Sequence, residues 1–323
     1  MSKRILVTGG AGYVGAILVD ELLRRGYQVR ALDSLLHGSV PSLLLAWGHP
    51  EFEFVHTDVR DQEACRAAIE GVDAVVHLAA IVGDPACSRD PELARAVNLE
   101  ATKRLLDDAQ AAGVARFVFA STCSNYGRLD GDAVATEDFT LAPISLYAET
   151  KVGSEEAVLD RAGADFASCC LRLATVYGSS PRMRFDLTVN EFTREVALDR
   201  DLLVYGEQFW RPYVHVRDAA QAILLALEVP PETVSGEVFN VGDTGENYRK
   251  VDLVELLKQR FPEARVEFVH RDEDPRDYRV GFEKVKERLG FAAQWSVPAG
   301  IDEIVALLGS GLLADPYAPL YSN

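Results

Sequence analysis

The chain has 323 residues, 48% hydrophobic and 26% charged, an ordinary globular composition with room for one large α/β domain and an appended lobe. A formal net charge of −17 and the lack of any long basic run argue against nucleic acid or an anionic membrane surface as the main partner. The five cysteines, Cys65, Cys87, Cys123, Cys169 and Cys170, form neither a metal spacing nor a disulfide framework. No apolar stretch is long enough to cross a membrane, and the run after Lys3-Arg4 is too short for a signal peptide. A soluble, cytoplasmic protein with reduced thiols and no metal is therefore expected.

In chain order, a strand over 4–8 runs into Thr8-Gly9-Gly10-Ala11-Gly12-Tyr13-Val14-Gly15. The spacing of Ile17, Leu18, Leu22 and Leu23 then predicts a helix over 14–25. Gly9, Gly12 and Gly15 permit a tight turn and let the backbone approach a pyrophosphate lying on that helix's N-terminus. A second strand, 28–33, ends in Asp33, placed to accept hydrogen bonds from a ribose. Glycines alone serve any tight strand-to-helix turn. Strand, helix and Asp33 together read as a dinucleotide-binding turn. A carboxylate at Asp33 repels a 2′-phosphate and no arginine follows it closely, so NAD is expected rather than NADP.

Strands are predicted at 52–56, 73–77, 115–120 and 166–173, alternating with helices at 61–69, 91–112 and 147–163. That alternation predicts an α/β fold, a doubly wound parallel sheet of Rossmann type. Leu93, Ala96, Val97, Ala101, Leu105 and Leu106 keep helical spacing within 91–112. After the fifth strand, Ser121-Thr122-Cys123-Ser124 puts hydroxyls at the C-terminal sheet edge; a plain Ser/Thr-rich turn has the same composition. Tyr147 and Lys151 project one turn apart on the next helix. In isolation such a pair also fits a solvated helix face. A tyrosine serves as a base near neutral pH only if its pKa falls by roughly 3 units, about 4 kcal/mol, and a neighbouring ammonium has the right sign to help.

Beyond about residue 175 the rhythm changes. A Pro-, Arg- and Gly-rich stretch (178–186) leads to a helix at 187–199, the strand Leu202–Tyr205, a helix at 216–228 and a strand at 237–241. Residues 247–310 supply two amphipathic segments around a strand at 265–269. The predicted division is 1–174 with about 211–241 as the cofactor domain, and about 175–210 with 242–323 as a discontinuous lobe over the C-terminal sheet edge, where ligands bind.

The glycine turn, Asp33, His77-Leu78-Ala79-Ala80, Asn98, the hydroxyl segment and Tyr147-x-x-x-Lys151 occur in the order found in extended short-chain dehydrogenases/reductases. Within that family the chain resembles the nucleotide-sugar epimerase/dehydratase branch, over nearly its whole length. The resemblance implies a nucleotide-diphosphate sugar as substrate and a homodimer through a four-helix bundle of 91–112 and 147–163. It implies that Tyr147 is the catalytic tyrosine, Lys151 the lysine on the nicotinamide ribose and Thr122 the catalytic hydroxyl. Gly9, Gly12, Tyr13, Val14, Gly15, Asp33, Asp58, Val59, Leu78, Ala79, Ala80 and Asn98 are the implied cofactor contacts. On the substrate side Arg211 resembles the diphosphate-binding arginine and Tyr205 the aromatic that stacks on the base; a strand aromatic in a core is the other reading of Tyr205.

Departures from the family pattern bear on the reaction. Thr175 stands where many relatives carry Asn. Asp274 replaces a late arginine, with Arg276 nearby, and Arg182 and Arg184 are further candidates. Asn190 fits either an amide offered to the nucleotide or sugar, or a packing role in its helix. Sugar 4,6-dehydratases of this family carry an acidic pair after the catalytic hydroxyl, and sugar-acid decarboxylases carry Glu at the position of Ser124. Here Cys123 and Ser124 follow Thr122, which disfavours both reactions. Cys123 fits a proton donor or a small residue in a crowded turn. What remains is epimerisation, by transient oxidation at C4 and return of the hydride, or a net 4-dehydrogenase or 4-keto-sugar reductase with the same residues. A catalytically silent NAD-binding sensor or scaffold is the non-enzymatic alternative. Asp84, in 81–88, fits either a sugar-hydroxyl contact or a turn at Asp-Pro.

Overall fold

The computed structural model describes residues 3–129, 131–269 and 277–323. The first half runs β1 (Arg4–Thr8), α1 (Tyr13–Arg24), β2 (Gln28–Asp33), β3 (Phe52–His56), α2 (Gln62–Ile69), β4 (Ala74–His77), α3 (Asp84–Arg89), α4 (Pro91–Arg95), α5 (Ala101–Ala111) and β5 (Arg116–Thr122). Next come β6 (Val134–Ala135), α6 (Leu146–Leu159), β7 (Ala167–Leu173), β8 (Thr175–Tyr177), α7 (Thr188–Ala197), β9 (Leu202–Tyr205), β10 (Trp210–His215) and α8 (Val216–Glu228). The remainder is α9 (Pro231–Val234), β11 (Glu237–Val241), β12 (Asn247–Arg249), α10 (Lys250–Arg260), β13 (Val266–Val269), β14 (Arg279–Val280), α11 (Glu283–Leu289) and α12 (Val297–Gly309).

Seven of these strands form one sheet in the order β11-β7-β5-β4-β1-β2-β3, every pairing parallel. The order reverses between β1 and β4, and the crevice at that switch point is where an α/β sheet receives its ligand. Strand residues divide by parity between two cores. Ile5, Val7, Val76, Val118, Cys169 and Leu171 pack on one face. Leu6, Val75, Phe117, Phe119 and Cys170 pack on the other. The adjacent Cys169 and Cys170 thus face opposite sides of one strand, as a period of two requires. Burying both faces is why these strands read as near-continuous apolar runs.

A third core, with Tyr177, Met183, Phe185, Phe192, Leu253, Leu257 and Ile301, belongs to the second lobe. The short strands outside the main sheet join distant segments: β8 pairs with β10 and β10 with β12, β9 pairs with β13, and β6 with β14, whose Ala135 and Val280 pack into the first core. Within the segment 211–241, β11 pairs in the main sheet and β10 in a small separate one. Among the described residues the final segment holds three helices, α10, α11 and α12, rather than two. The helix expected over 91–112 is α4 and α5 joined by one turn of π-helix, Ala96–Glu100, which contains Asn98. Among the described residues no helix is long and apolar enough to cross a membrane.

Candidate active site

The glycine turn is shaped by what its neighbours leave no room for. Gly9 has φ +72°, and a Cβ there would stand 2.8 Å from the Ala79 backbone nitrogen. A Cβ on Gly15 would collide with the Gly9 carbonyl oxygen. The β1 and β4 ends and the start of α1 therefore meet only because side chains are missing. Asp33 closes the turn from β2, its carboxylate accepting from the Ala11 and Leu35 amides at 3.0 and 2.8 Å. Burial raises its pKa and those two amides oppose the rise.

One cleft of about 380 Å³ gathers most of the expected residues. Gly9, Gly12, Tyr13, Val14, Gly15, Asp33, Asp58, Val59, Leu78, Ala79 and Ala80 line it, as do Thr122, Ser124, Tyr147, Lys151, Thr175 and Arg211. Asp58 is tied to Arg60 by paired side-chain bonds of 2.9 Å, which hold its carboxyl below the usual range. These features fit NAD: a side-chain-free cradle for the pyrophosphate at a helix N-terminus and a fixed carboxylate at the end of β2 for a ribose.

Ser145 caps α6 by accepting from the Ala148 amide at 3.3 Å, which sets the first turn bearing Tyr147. Lys151, one turn on, donates to the Ala120 carbonyl at 2.8 Å, and its ammonium lies 4.6 Å over the Phe119 ring. Burial pulls its pKa down to about 8. Burial pushes the Tyr147 phenol above its ordinary value, with Cys87 and Asp84 adding to the rise and Arg184 opposing it. Thr122 Oγ1 accepts from the Ser124 amide at 3.1 Å and shares a 2.8 Å bond with the Ser124 hydroxyl. Phenol, ammonium and hydroxyl thus line the same cleft, the residue types that take a proton from a bound alcohol, although burial by itself shifts the phenol away from the value a base needs.

Four expected contacts sit elsewhere. Asn98 is 1% exposed and outside the cleft lining. Its amide bonds both backbone groups of Ile81, at 2.8 and 3.0 Å, and reaches the Thr150 hydroxyl. It fastens the loop after β4 to α6. Asn190, 0% exposed, is held in the same way, accepting from the Gly178 amide and donating to the Tyr13 hydroxyl and the Arg184 carbonyl. Cys123 faces the core with Sγ 3.1 Å from the Arg172 carbonyl, and burial raises its pKa well above the ordinary value. It is the small residue in a crowded turn. Tyr205 is 42% exposed and outside the cleft lining, because β9 buries Leu202 and Val204 and turns the alternate positions outward. Arg276 and Asp274 lie outside the described residues.

The structure adds residues that the motifs did not single out. Tyr278 lines the cleft beneath the Arg211 guanidinium, 5.4 Å from ring centre to carbon. His37, Arg60 and Asn323 line it as well, and so does Asp84. Arg182 and Arg184 are also in the lining: Arg184 makes a two-bond pair with Asp186, at 2.6 and 3.0 Å, and Arg182 donates to the Ser322 carbonyl and the Asn323 side chain. Tyr278 lies two residues after Arg276 but was not itself singled out, and nothing near Asn323 in sequence marks it, since distant segments bring both to the cleft.

Residues 5–242 match the family described as NAD dependent epimerase/dehydratase. A 3 beta-hydroxysteroid dehydrogenase/Delta 5-->4-isomerase of Mycobacterium tuberculosis is 32% identical over 318 residues, covering 93% of this chain and 81% of that protein. Among solved structures, a dTDP-glucose 4,6-dehydratase from Streptomyces venezuelae with NAD and TYD bound has a TM-score of 0.86 against this chain, with 29% identity over 98% of this chain and 99% of that one. A UDP-glucose 4-epimerase from Thermotoga maritima with UDP-glucose has a TM-score of 0.84 and 29% identity, over 96% and 99% of the two chains. The family match spans the glycine turn, Asp33, Thr122, Tyr147, Lys151 and Arg211 in one run. This chain belongs to the NAD dependent epimerase/dehydratase family of enzymes.

Proposed function

We propose that the protein is an NAD-dependent nucleotide-sugar epimerase that oxidises its sugar transiently at C4 and restores it in the opposite configuration. The observation that carries this reading is a single cleft holding Tyr147, Lys151 and Thr122 together with the buried guanidinium groups of Arg182 and Arg211. Arg182 is bonded to the Ser322 carbonyl and the Asn323 amide oxygen, and Arg211 to the Trp210 carbonyl. Guanidinium groups suit a diphosphate, whose oxygens they can meet with two parallel hydrogen bonds.

In this mechanism Tyr147 takes the proton of the sugar hydroxyl while Thr122 holds the same oxygen. The Lys151 ammonium stabilises the phenolate form of Tyr147 and binds the nicotinamide ribose. Gly9, Gly12, Tyr13, Val14 and Gly15 would hold the NAD pyrophosphate, Asp33 its adenosine ribose, Asp58 and Val59 its adenine. When bound, NAD supplies the two-electron acceptor beside the sugar ring. Cys123 points into the core and Ser124 is bonded to Thr122, so no acid–base pair adjoins the hydroxyl among the described residues, which supports epimerisation over elimination. A net 4-dehydrogenase or 4-keto-sugar reductase using the same residues is the second reading.

Denaturing the purified protein and weighing the released cofactor separates the two. Near-stoichiometric NAD is expected for a catalyst that recycles its hydrogen; an empty protein turns the reading towards a dehydrogenase with exchanging cofactor. Tyr147→Phe should lower turnover at least about 100-fold while leaving bound NAD unchanged, and unaltered turnover would overturn the mechanism. We also propose a homodimer in which α5 and α6 of each protomer form a four-helix bundle. Light scattering should then return twice the chain mass of 35.4 kDa.

A further inference from the structure

Tyr13 opens α1 at the glycine turn, so its amide stands at the helix N-terminus that receives the pyrophosphate. Its side chain is buried and does something else. The phenol donates to the Gly178 carbonyl at 2.5 Å and accepts from the Asn190 side-chain amide at 3.0 Å. The Ser180 hydroxyl donates to the Tyr13 carbonyl at 2.7 Å. Three bonds therefore join the first residue of α1 to the segment that follows β8 and to α7 behind it.

That segment, 178–186, is fixed at its base on the lobe side. Gly178 has φ +105°, and a Cβ there would collide with the buried His215 ring. The Gly178 amide donates to Asn190 Oδ1 at 2.9 Å, and the Ser179 amide to Glu303 of α12 at 2.8 Å. From there the chain runs along the cleft. Arg182 and Arg184 are buried in the same lining as Gly9, Gly12 and Asp33. Arg182 is near enough to Asp33 to act on its charge, and Arg184 near enough to act on Tyr147. At its far end the Phe185 amide donates to the Tyr321 carbonyl at 2.8 Å. The segment thus crosses the cofactor cleft from the glycine turn towards Tyr147, bolted at the start to the turn that holds the pyrophosphate.

We propose that 178–186 is a strap across the bound NAD, latched by the Tyr13 phenol, which has to part for the cofactor to enter or leave. The proposal rests on the cofactor cleft and holds for either reading of the substrate. Weakening such a latch raises the open fraction of the empty and the loaded protein alike, so both directions of exchange quicken together. A loss of support within the glycine turn itself would quicken release alone.

Stopped-flow fluorescence of NADH tests this, with entry followed on mixing with protein emptied of cofactor and exit as excess NAD displaces it. Tyr13→Phe keeps the ring and removes both bonds of the phenol; release and entry should each quicken about tenfold, while affinity changes by less than about threefold. Ser180→Ala removes the third bond at a half-buried position and should quicken both about threefold. It decides the question should Tyr13→Phe fail to fold. Unchanged rates in the folded variants would overturn the proposal. So would release that quickens while entry does not, since Tyr13 would then only support the turn.

Discussion

His77 lies between two hydroxyls, Thr8 at 2.6 Å from Nδ1 and Thr102 at 2.9 Å from Nε2. Thr102 gives its one hydroxyl proton to the Asn98 carbonyl, so it can only accept from His77. Nε2 therefore carries the proton, Nδ1 accepts from Thr8, and the ring is neutral. Burial, with the nearby Lys151 charge, pushes its pKa down to about 3. In the unfolded chain a histidine takes up its proton near pH 6.5. Between those values the unfolded state binds more protons, so stability falls as the pH is lowered, by about 3 kcal/mol at pH 4 from this residue. Urea midpoints measured from pH 7 to pH 4 should fall less steeply in His77→Gln than in wild type. At this scale the sequence reveals residues whose chemistry is local. Tyr147 and Lys151 sit one helical turn apart whatever packs around them. Asn98, Asn190 and Tyr205 were not legible in the same way. An amide's partners depend on which loops arrive beside it, and in the all-apolar run Leu202-Leu203-Val204-Tyr205 the outward face is set by the third core, which takes Leu202 and Val204.

Among the elements, α6 shows why periodicity undersells a helix at a site. Its buried positions include Thr150, Lys151, Ser154 and Glu155, so its inner face is polar and its apolar pattern weak. Glu155 meets Arg172 of β7 in a buried pair at 2.7 Å, and Arg172 also donates to the Tyr126 hydroxyl at 2.9 Å and to the Glu137 carbonyl. Burial opposes the Arg172 charge, but its bonds to Glu155 outweigh that and raise its pKa. Removing one partner strands the other, so Arg172→Met should destabilise the fold by about 3–5 kcal/mol. Adding Glu155→Gln to Arg172→Met should recover part of that loss, and a double-mutant cycle of urea unfolding measures the coupling. The long strands of the sheet were visible as apolar runs because both of their faces are covered. The strands β6, β8, β12 and β14 have two or three residues each, too few for any period to register.

For the whole molecule, the alternation of strands and helices was enough to foresee the parallel sheet and the cleft at its C-terminal edge. The second lobe was harder, since its small sheets join segments far apart in sequence and its contacts answer to loop geometry. Arg182, before α7, and Arg89 of α3 both donate to Asn323, which thereby links those two segments beside the cleft. The parity of the sheet strands has one more consequence. Alternation puts Cys169 and Cys170 on opposite faces, and with Cys65, Cys87 and Cys123 they are all free and buried. The native protein therefore conceals every one of its thiols from a colorimetric thiol reagent. Cys87, beside the cleft, should be the first to react when the structure breathes, and the Cys169-Cys170 pair the last. Cys169 is locked to one core and Cys170 to the other, so their labelling keeps time for global unfolding without any foreign probe.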